Sequence, residues 1–134
     1  MEKLITIALD AMGGDHAPAE VVGGAIKALT DDPEISVVLV GREAAIRAEI
    51  PAEFAANPRL EIVHAEDVVG CDESPVDALR KKPDSSILKA IGMAAKREVD
   101  AVISAGNTGA VVGAATLVLR MIPGIRRAGI AVAL

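Results

Sequence analysis

Ser104-Ala105-Gly106-Asn107-Thr108-Gly109-Ala110 decides the fold, because it joins a strand-length apolar run at 100–103 to a helix-length run at 111–119. Its two glycines permit a tight turn, and Asn107 or Thr108 can cap the helix while the first helical amides point outward. Free amides at the positive end of a helix dipole favour an anion such as phosphate. This 104–110 turn is therefore predicted either to bind an anion or to be an ordinary strand-to-helix turn with glycine for packing.

The same alternation of strand and helix recurs along the chain. Strands are predicted at 4–9, 35–40, 60–63, 101–103 and 128–134, and helices beginning at 18, at 42, after 84 and near 108. The strands are almost continuously apolar, as in a parallel sheet covered on both faces. The pattern predicts one α/β domain of close-packed helices on a buried sheet. Because the last strand stops without a polar tail, we expect the sequence to be a portion of a longer protein.

Three segments carry more specific predictions. Gly23 and Gly24 weaken the first helix by up to about 1 kcal/mol each relative to alanine, which favours close packing there. Residues 65–84 predict a long irregular connection, either a solvated charged surface or a functional loop. Asp84 or Ser85 is predicted to cap the next helix. The apolar face of that helix is predicted to comprise Ile87, Leu88, Ile91 and Ala95.

Composition limits the function classes. The 134 residues are 51% hydrophobic with Phe54 as the single aromatic residue, so the core must consist of Ala, Val, Ile and Leu. A net charge of −5 gives no basic footprint for nucleic acid. The lone Cys71 excludes an internal disulfide, and neither a signal peptide nor an apolar run of about 20 residues is visible. These features predict a cytoplasmic protein.

Catalytic motifs of the common kinds are absent. The sequence has no Gly-x-Ser-x-Gly elbow, Walker A motif or His-Glu-x-x-His, and the first turn does not fit the dinucleotide fingerprint. Asp10, Asp15 and His16 follow the first strand and could position a substrate, cap the loop or, least favoured, bind a metal. His64 is predicted to be structural, and Cys71 has no evident activating partner.

Three blocks in the same order resemble the PlsX family of phosphate acyltransferases. They are Leu9-Asp10-Ala11-Met12-Gly13-Gly14-Asp15-His16-Ala17-Pro18, then Glu73-Ser74-Pro75 through Ala78-Leu79-Arg80-Lys81-Lys82 to Asp84-Ser85-Ser86, then Ser104 to Ala110. The resemblance implies an enzyme that makes acyl phosphate from acyl carrier protein thioester and inorganic phosphate in bacterial phospholipid synthesis. It implies a three-layer αβα fold similar to isocitrate and isopropylmalate dehydrogenases, a homodimer, contact with a membrane surface, and neither cofactor nor metal. Members of that family are more than twice as long, so residues 1–134 are expected to be an N-terminal α/β portion without activity of its own.

The resemblance also implies roles for individual residues. Asp10 and His16 are candidates for orienting or proton-handling roles, and Asn107 and Thr108 are catalytic candidates within the 104–110 turn. Substrate contact is expected from the remaining matched residues, namely Gly13, Gly14, Asp15, Arg80, Lys81, Lys82, Ser85, Gly106 and Gly109. Two other functions stay open at this point. One is a phosphate acyltransferase that uses coenzyme A, and the other is a non-catalytic anion-binding module.

Overall fold

A single parallel sheet organises the computed structural model, which describes residues 3–134. Within those residues the sheet has four strands in the order β3-β2-β1-β4, all parallel: β1 (Ile5–Asp10), β2 (Ile35–Gly41), β3 (Leu60–His64) and β4 (Ala101–Ile103). Five helices flank it: α1 (Ala19–Asp31), α2 (Glu43–Glu49), α3 (Pro75–Lys81), α4 (Ser86–Ala95) and α5 (Thr108–Val118). A short 3-10 helix spans Ala52–Phe54. The predicted α/β fold is confirmed.

Alternate residues of β2 face different helices. Val37 and Leu39 pack in one apolar cluster with Val22, Ala25 and Leu29 of α1. Val38 and Val40 pack in another cluster with Ala8 of β1 and Ala90 of α4. Neighbouring strand residues point to opposite faces, so the two clusters cover both sides of the sheet, which explains why its strands are almost continuously apolar.

A third cluster joins α3, α4 and α5 without using the centre of the sheet. Its buried members are Val69, Ala78, Leu79, Ile87, Ile91, Ala110 and Ala114. Gly113 brings α5 close to α3, since a Cβ at that position would lie 3.0 Å from Leu79 Cδ1. This cluster fixes the start of α5 and hence the 104–110 turn.

Arg59 ties the end of α1 to the sheet. Its guanidinium donates hydrogen bonds to three backbone carbonyls, those of Leu29 at 2.7 Å, Asp32 at 2.9 Å and Ile35 at 3.0 Å. The last carbonyls of a helix have no partner within the helix, so a cation at this position satisfies them. Local sequence patterns give no sign of this role, because the three carbonyls belong to residues 24 to 30 positions away.

Several local predictions were wrong. The segment 65–84 contains helix α3, which begins with proline at its first position and buries Ala78 and Leu79. Residues 128–134 form no strand; they are exposed and pair with no other strand, and a strand requires a partner for its backbone groups. On α4, Ile87 and Ile91 are buried as expected, but Ala95 is exposed and Ser86 and Ala90 are buried in addition.

Close packing at Gly23 and Gly24 was also predicted wrongly. A Cβ built on either glycine meets no atom within 4 Å beyond the backbone of its own helix. Gly24 instead lines an apolar groove of about 430 Å³ between α1 and the sheet, together with Ile7, Val21 and Ile103.

Candidate functional site

The site is built from two turns that follow neighbouring strands. Leu9 of β1 is paired with Ile103 of β4, so the turn at 10–18 and the 104–110 turn leave the same edge of the sheet side by side. Ligands of open parallel sheets collect at this carboxyl edge. Asp10 ends β1 and Asn107 lies in the turn that follows β4, so the predicted order of strand and turn is confirmed at both places.

Gly13 and Gly106 allow the two turns to touch. A Cβ at Gly13 would lie 2.9 Å from Asp10 Oδ2, from Ser104 Oγ and from Gly106 N, and a Cβ at Gly106 would lie 3.2 Å from Gly13 Cα. A Cβ at Gly13 would overlap the backbone of Gly106, so glycine is required there by close backbone approach, whereas a Cβ at Gly106 would be tight and would push the Gly13 backbone away by a few tenths of an ångström. Gly14 adds a positive φ of 106°, which favours glycine for a second reason.

The Asp10 carboxylate lies beneath the two turns and is buried, with 4% of the residue exposed. Its Oδ1 accepts hydrogen bonds from Ser86 Oγ at 2.6 Å and from Met12 N at 3.1 Å. Its Oδ2 accepts a hydrogen bond from Ser104 Oγ at 2.8 Å. One carboxylate therefore connects the ends of β1 and β4 to the start of α4.

Asn107 caps α5, as the sequence predicted. Its Oδ1 accepts the Ala110 amide at 3.0 Å, while its Nδ2 donates to the carbonyls of Gly70 at 3.1 Å and Glu73 at 2.9 Å. Both polar atoms of the side chain are thus bound within the protein. The side chain holds the segment 70–73 against the start of α5 and has little capacity left for a substrate.

The amides of Asn107, Thr108 and Gly109 take part in none of the hydrogen bonds found among residues 3–134. Thr108 and Gly109 are exposed at the amino end of α5, where the helix dipole is positive. Gly109 is also a packing residue, because a Cβ there would lie 2.5 Å from Pro75 Cγ on α3. Chemically, this turn can donate hydrogen bonds to an anion approaching from solvent.

The charged segment beside the turn is partly self-paired. Lys82 Nζ donates to the carbonyl of Val68 at 2.7 Å and forms an ion pair with Glu73. The hydrogen bond from Lys82, followed by the one from the Gly70 amide, lowers the pKa of Glu73 below its ordinary value of 4.5. Arg80 and Lys81 are exposed at the end of α3 and form no ion pair with any of residues 3–134.

Comparison with known proteins adds to this geometry. A family model described as fatty acid synthesis protein matches residues 5–134, which is nearly the whole chain. The chain belongs to the fatty acid synthesis protein family. This result confirms the resemblance drawn from the three sequence blocks.

Curated relatives in the fatty acid synthesis protein family carry the name phosphate acyltransferase. The chain is 50% identical to the protein of Brevibacillus brevis over 121 residues, which are 90% of the chain and 36% of the relative. It is 50% identical to that of Dictyoglomus turgidum over 92% of the chain and 37% of the relative. For Coxiella burnetii the values are 45% identity, 95% of the chain and 38% of the relative. The chain therefore spans little more than a third of the length of these relatives.

Other residues matched to the family lie outside the contact between the turns. Asp15 and His16 are exposed, and their side chains form no hydrogen bond or ion pair with the described part of the chain. Ser85 is fully buried and caps α4, its Oγ accepting the Leu88 amide at 3.4 Å, so it is not accessible to a substrate. His64 is structural as predicted: Nδ1 accepts the Glu43 amide at 3.2 Å and Nε2 lies 3.1 Å from Glu66 Oε2.

Two serines that hold the Asp10 carboxylate were not predicted from the sequence. Ser86 binds Oδ1 of Asp10 and Ser104 binds Oδ2, and neither serine was given a role from the sequence, although both lie in the blocks that resemble the family. The available signal was their position, since Ser104 directly follows the end of β4 and Ser86 is the first residue of α4.

Between residues 3 and 134 there is no group of three or more His, Cys, Asp or Glu residues arranged to hold a metal ion. No helix in that range combines the length and apolar character needed to cross a membrane.

Proposed function

We propose that this chain is the anion-binding portion of a phosphate acyltransferase that makes acyl phosphate from an acyl carrier protein thioester and inorganic phosphate. In this proposal the amides of the 104–110 turn bind phosphate or the oxyanion that develops during transfer. The single observation that carries it is the exposed amino end of α5, where the Thr108 and Gly109 amides have no partner within the described residues. Membership of a family whose relatives are named phosphate acyltransferase supports it.

The chemistry explains why no catalytic serine or cysteine motif is needed. A phosphate oxygen attacks the thioester carbonyl, a tetrahedral oxyanion forms, and the carbon–sulfur bond breaks to release the carrier thiolate, which takes up a proton. Phosphate is itself the nucleophile, so the protein has to supply binding, orientation and oxyanion stabilisation. Loss of one preorganised donor costs roughly 10² to 10³ in rate in comparable acyl transfer.

The geometry refines the roles proposed for individual residues. Asn107 is assigned to hold the turn, because all its polar atoms have protein partners, and the backbone amides next to it bind the anion. Gly13, Gly14 and Gly106 are assigned to the close approach of the turns. Exposed Asp15 and His16 remain candidates for substrate contact or proton transfer, and exposed Arg80 and Lys81 for contact with an acidic carrier protein. Lys82 and Ser85 are not proposed as substrate ligands, because Lys82 binds Glu73 and the Val68 carbonyl and Ser85 caps α4.

We further propose the larger arrangement that the family resemblance implies. Residues 1–134 correspond to an N-terminal α/β portion of a longer enzyme with a three-layer fold like that of isocitrate and isopropylmalate dehydrogenases. Helix packing on both faces of the sheet agrees with that architecture. The complete enzyme is expected to be a cytoplasmic homodimer that meets a membrane surface, and the isolated 134-residue chain to lack turnover.

Thr108 offers a sharp test, because it is the first residue of α5 and is preceded by an extended residue, Asn107, with ψ 110°. Proline is tolerated at the first position of a helix and follows extended residues readily, so Thr108→Pro deletes one amide donor at small structural cost. Thr108→Val is the matched control, since it removes the hydroxyl and keeps the amide. We expect Thr108→Pro to weaken phosphate binding at least tenfold and Thr108→Val to change it little, measured by NMR titration of the amides of 106–110.

Equal phosphate affinity in wild type, Thr108→Val and Thr108→Pro would refute the amide assignment. In a full-length family member, acyl phosphate formation with carrier protein or coenzyme A as donor distinguishes the two acyltransferase candidates. Strong preference for coenzyme A would overturn the choice of donor. Phosphate binding without acyl phosphate formation from either donor would favour the non-catalytic anion-binding module.

A further inference from the structure

The Asp10 carboxylate accepts three hydrogen bonds from three different parts of the chain. The donors are the Ser86 hydroxyl at the start of α4, the Met12 amide in the turn after β1, and the Ser104 hydroxyl after β4. Ser104 Oγ in turn accepts the Gly106 amide at 3.1 Å. A continuous chain of hydrogen bonds thus runs from Ser86 through Asp10 and Ser104 into the 104–110 turn.

We propose that Ser104 is a positioning residue for this turn and that Asp10 is the fixed acceptor that orients it. The inference rests on the proposed function, because the turn is the anion site of that proposal. The Ser104 hydroxyl has one proton, which it gives to Asp10, and its lone pairs are thereby directed at the Gly106 amide. With the Gly106 amide held inward, the next three amides are the ones left for an anion.

The contacts of Asp10 bear on whether it orients other groups or transfers a proton. Both of its oxygens already accept hydrogen bonds from fixed donors, and the residue is only 4% exposed. Because fixed donors already occupy both oxygens, the contacts of this carboxylate support the orienting role. Hydrogen bonds to a charged acceptor in a buried position are also stronger than neutral ones, so they fix the geometry well.

The space around the network leaves little freedom for an alternative arrangement. A Cβ on Gly13 would lie 2.9 Å from each of three network atoms, Asp10 Oδ2, Ser104 Oγ and Gly106 N, so the Gly13 backbone packs directly against them. Loss of the Ser104 hydroxyl leaves both the carboxylate and the Gly106 amide short of a partner. We expect the turn then to lose its single backbone conformation.

Ser86 provides a matched control within the same network. Ser86→Ala and Ser104→Ala each remove one hydroxyl donor from Asp10, but only Ser104 also bonds to the turn. Both variants are made in the complete 134-residue chain. Two quantities are measured: backbone order at 106–109 from ¹⁵N relaxation, and phosphate affinity from amide shifts during titration with inorganic phosphate. Urea unfolding of both variants reports the general loss of stability.

We expect Ser104→Ala to lower the order of 106–109 and to weaken phosphate binding about five- to tenfold, the worth of one hydrogen bond. Ser86→Ala should destabilise the fold to a similar degree and change affinity less than about twofold. If the two variants bind phosphate equally and leave the turn equally ordered, the inference is wrong. If phosphate shifts none of these amides in the wild-type chain, the proposed function fails, while the relaxation data still decide whether Ser104 holds the turn.

Discussion

Gly109 provides the clearest test of how α3 and α5 are packed at the site. An added Cβ would lie 2.5 Å from Pro75 Cγ and 3.3 Å from Pro75 Cβ. Carbon atoms in favourable contact are about 3.5 to 4.0 Å apart, so the overlap in Gly109→Ala is about 1 Å. Pro75 can adjust only the pucker of its ring, so the overlap is relieved mainly by a shift between α3 and α5. Overpacking costs about 1–3 kcal/mol, and the higher helix propensity of alanine offsets about 1 kcal/mol of that cost, so we expect a net loss of stability of up to about 2 kcal/mol.

Gly23→Ala is the matched control for this prediction. Gly23 is an exposed glycine inside α1, and an added Cβ meets nothing within 4 Å beyond its own helix backbone. Alanine has a higher helix propensity than glycine, and at this position no steric overlap offsets it, so we expect stabilisation by about 0.5–1 kcal/mol. The free energy of unfolding of both variants is measured by urea denaturation followed by circular dichroism. If Gly109→Ala were as stable as Gly23→Ala, the close contact between Gly109 and Pro75 would be refuted.

Three further predictions concern residues that hold the fold around the site. Arg59→Met, which keeps most of the apolar stem but removes three hydrogen bonds to carbonyls, should lower the free energy of unfolding by about 2 kcal/mol in urea; an unchanged midpoint would contradict its capping role. Asn107→Asp keeps the oxygen that caps α5 but loses both Nδ2 hydrogen bonds to the segment 70–73, whereas Asn107→Ala loses the cap as well. We therefore expect limited proteolysis within 65–74 to accelerate in both variants. Only Asn107→Ala should in addition destabilise α5, by about 1 kcal/mol. The pKa of Glu73 is lowered in the folded state, so the stabilisation that Glu73 provides is present above its ordinary pKa of 4.5 and is lost as the pH falls through the folded-state pKa. Glu73→Gln should therefore reduce the loss of stability at acid pH, measured from unfolding curves recorded at a series of pH values. An unchanged loss would show that the ion pair with Lys82 does not contribute.

Strand and helix positions were predictable where sequence periodicity and turn residues agree. β1, β2 and β4 are apolar runs interrupted only by Thr6 and Ser36, and each is followed by a turn with polar residues or glycine. Asn107 lies at a position where a helix cap is expected. Local patterns of this kind require no knowledge of distant contacts. They were therefore sufficient for the α/β class and for the two turns that follow β1 and β4.

The misjudged features depend on contacts between distant residues. Asp10 and Ser104 are 94 positions apart, and only the pairing of β1 with β4 brings them together. The role of Gly109 in packing depends on Pro75, and α3 was missed because only two of its residues are buried. The segment 128–134 has strand-like composition, yet strand formation depends on a partner that composition does not specify.

The strand order has a consequence for synthesis on the ribosome. β1 is made first and can pair with β2 as soon as residues 35–41 emerge, but its other edge is covered only by β4, at 101–103. Some sixty residues separate the completion of β2 from the arrival of β4, and throughout that interval a nascent chain presents an apolar strand with unpaired backbone groups. Bare edges of this kind recruit other chains. We therefore expect the stage at which residues from about 45 to about 100 are emerging from the ribosome to be the one that most needs a chaperone.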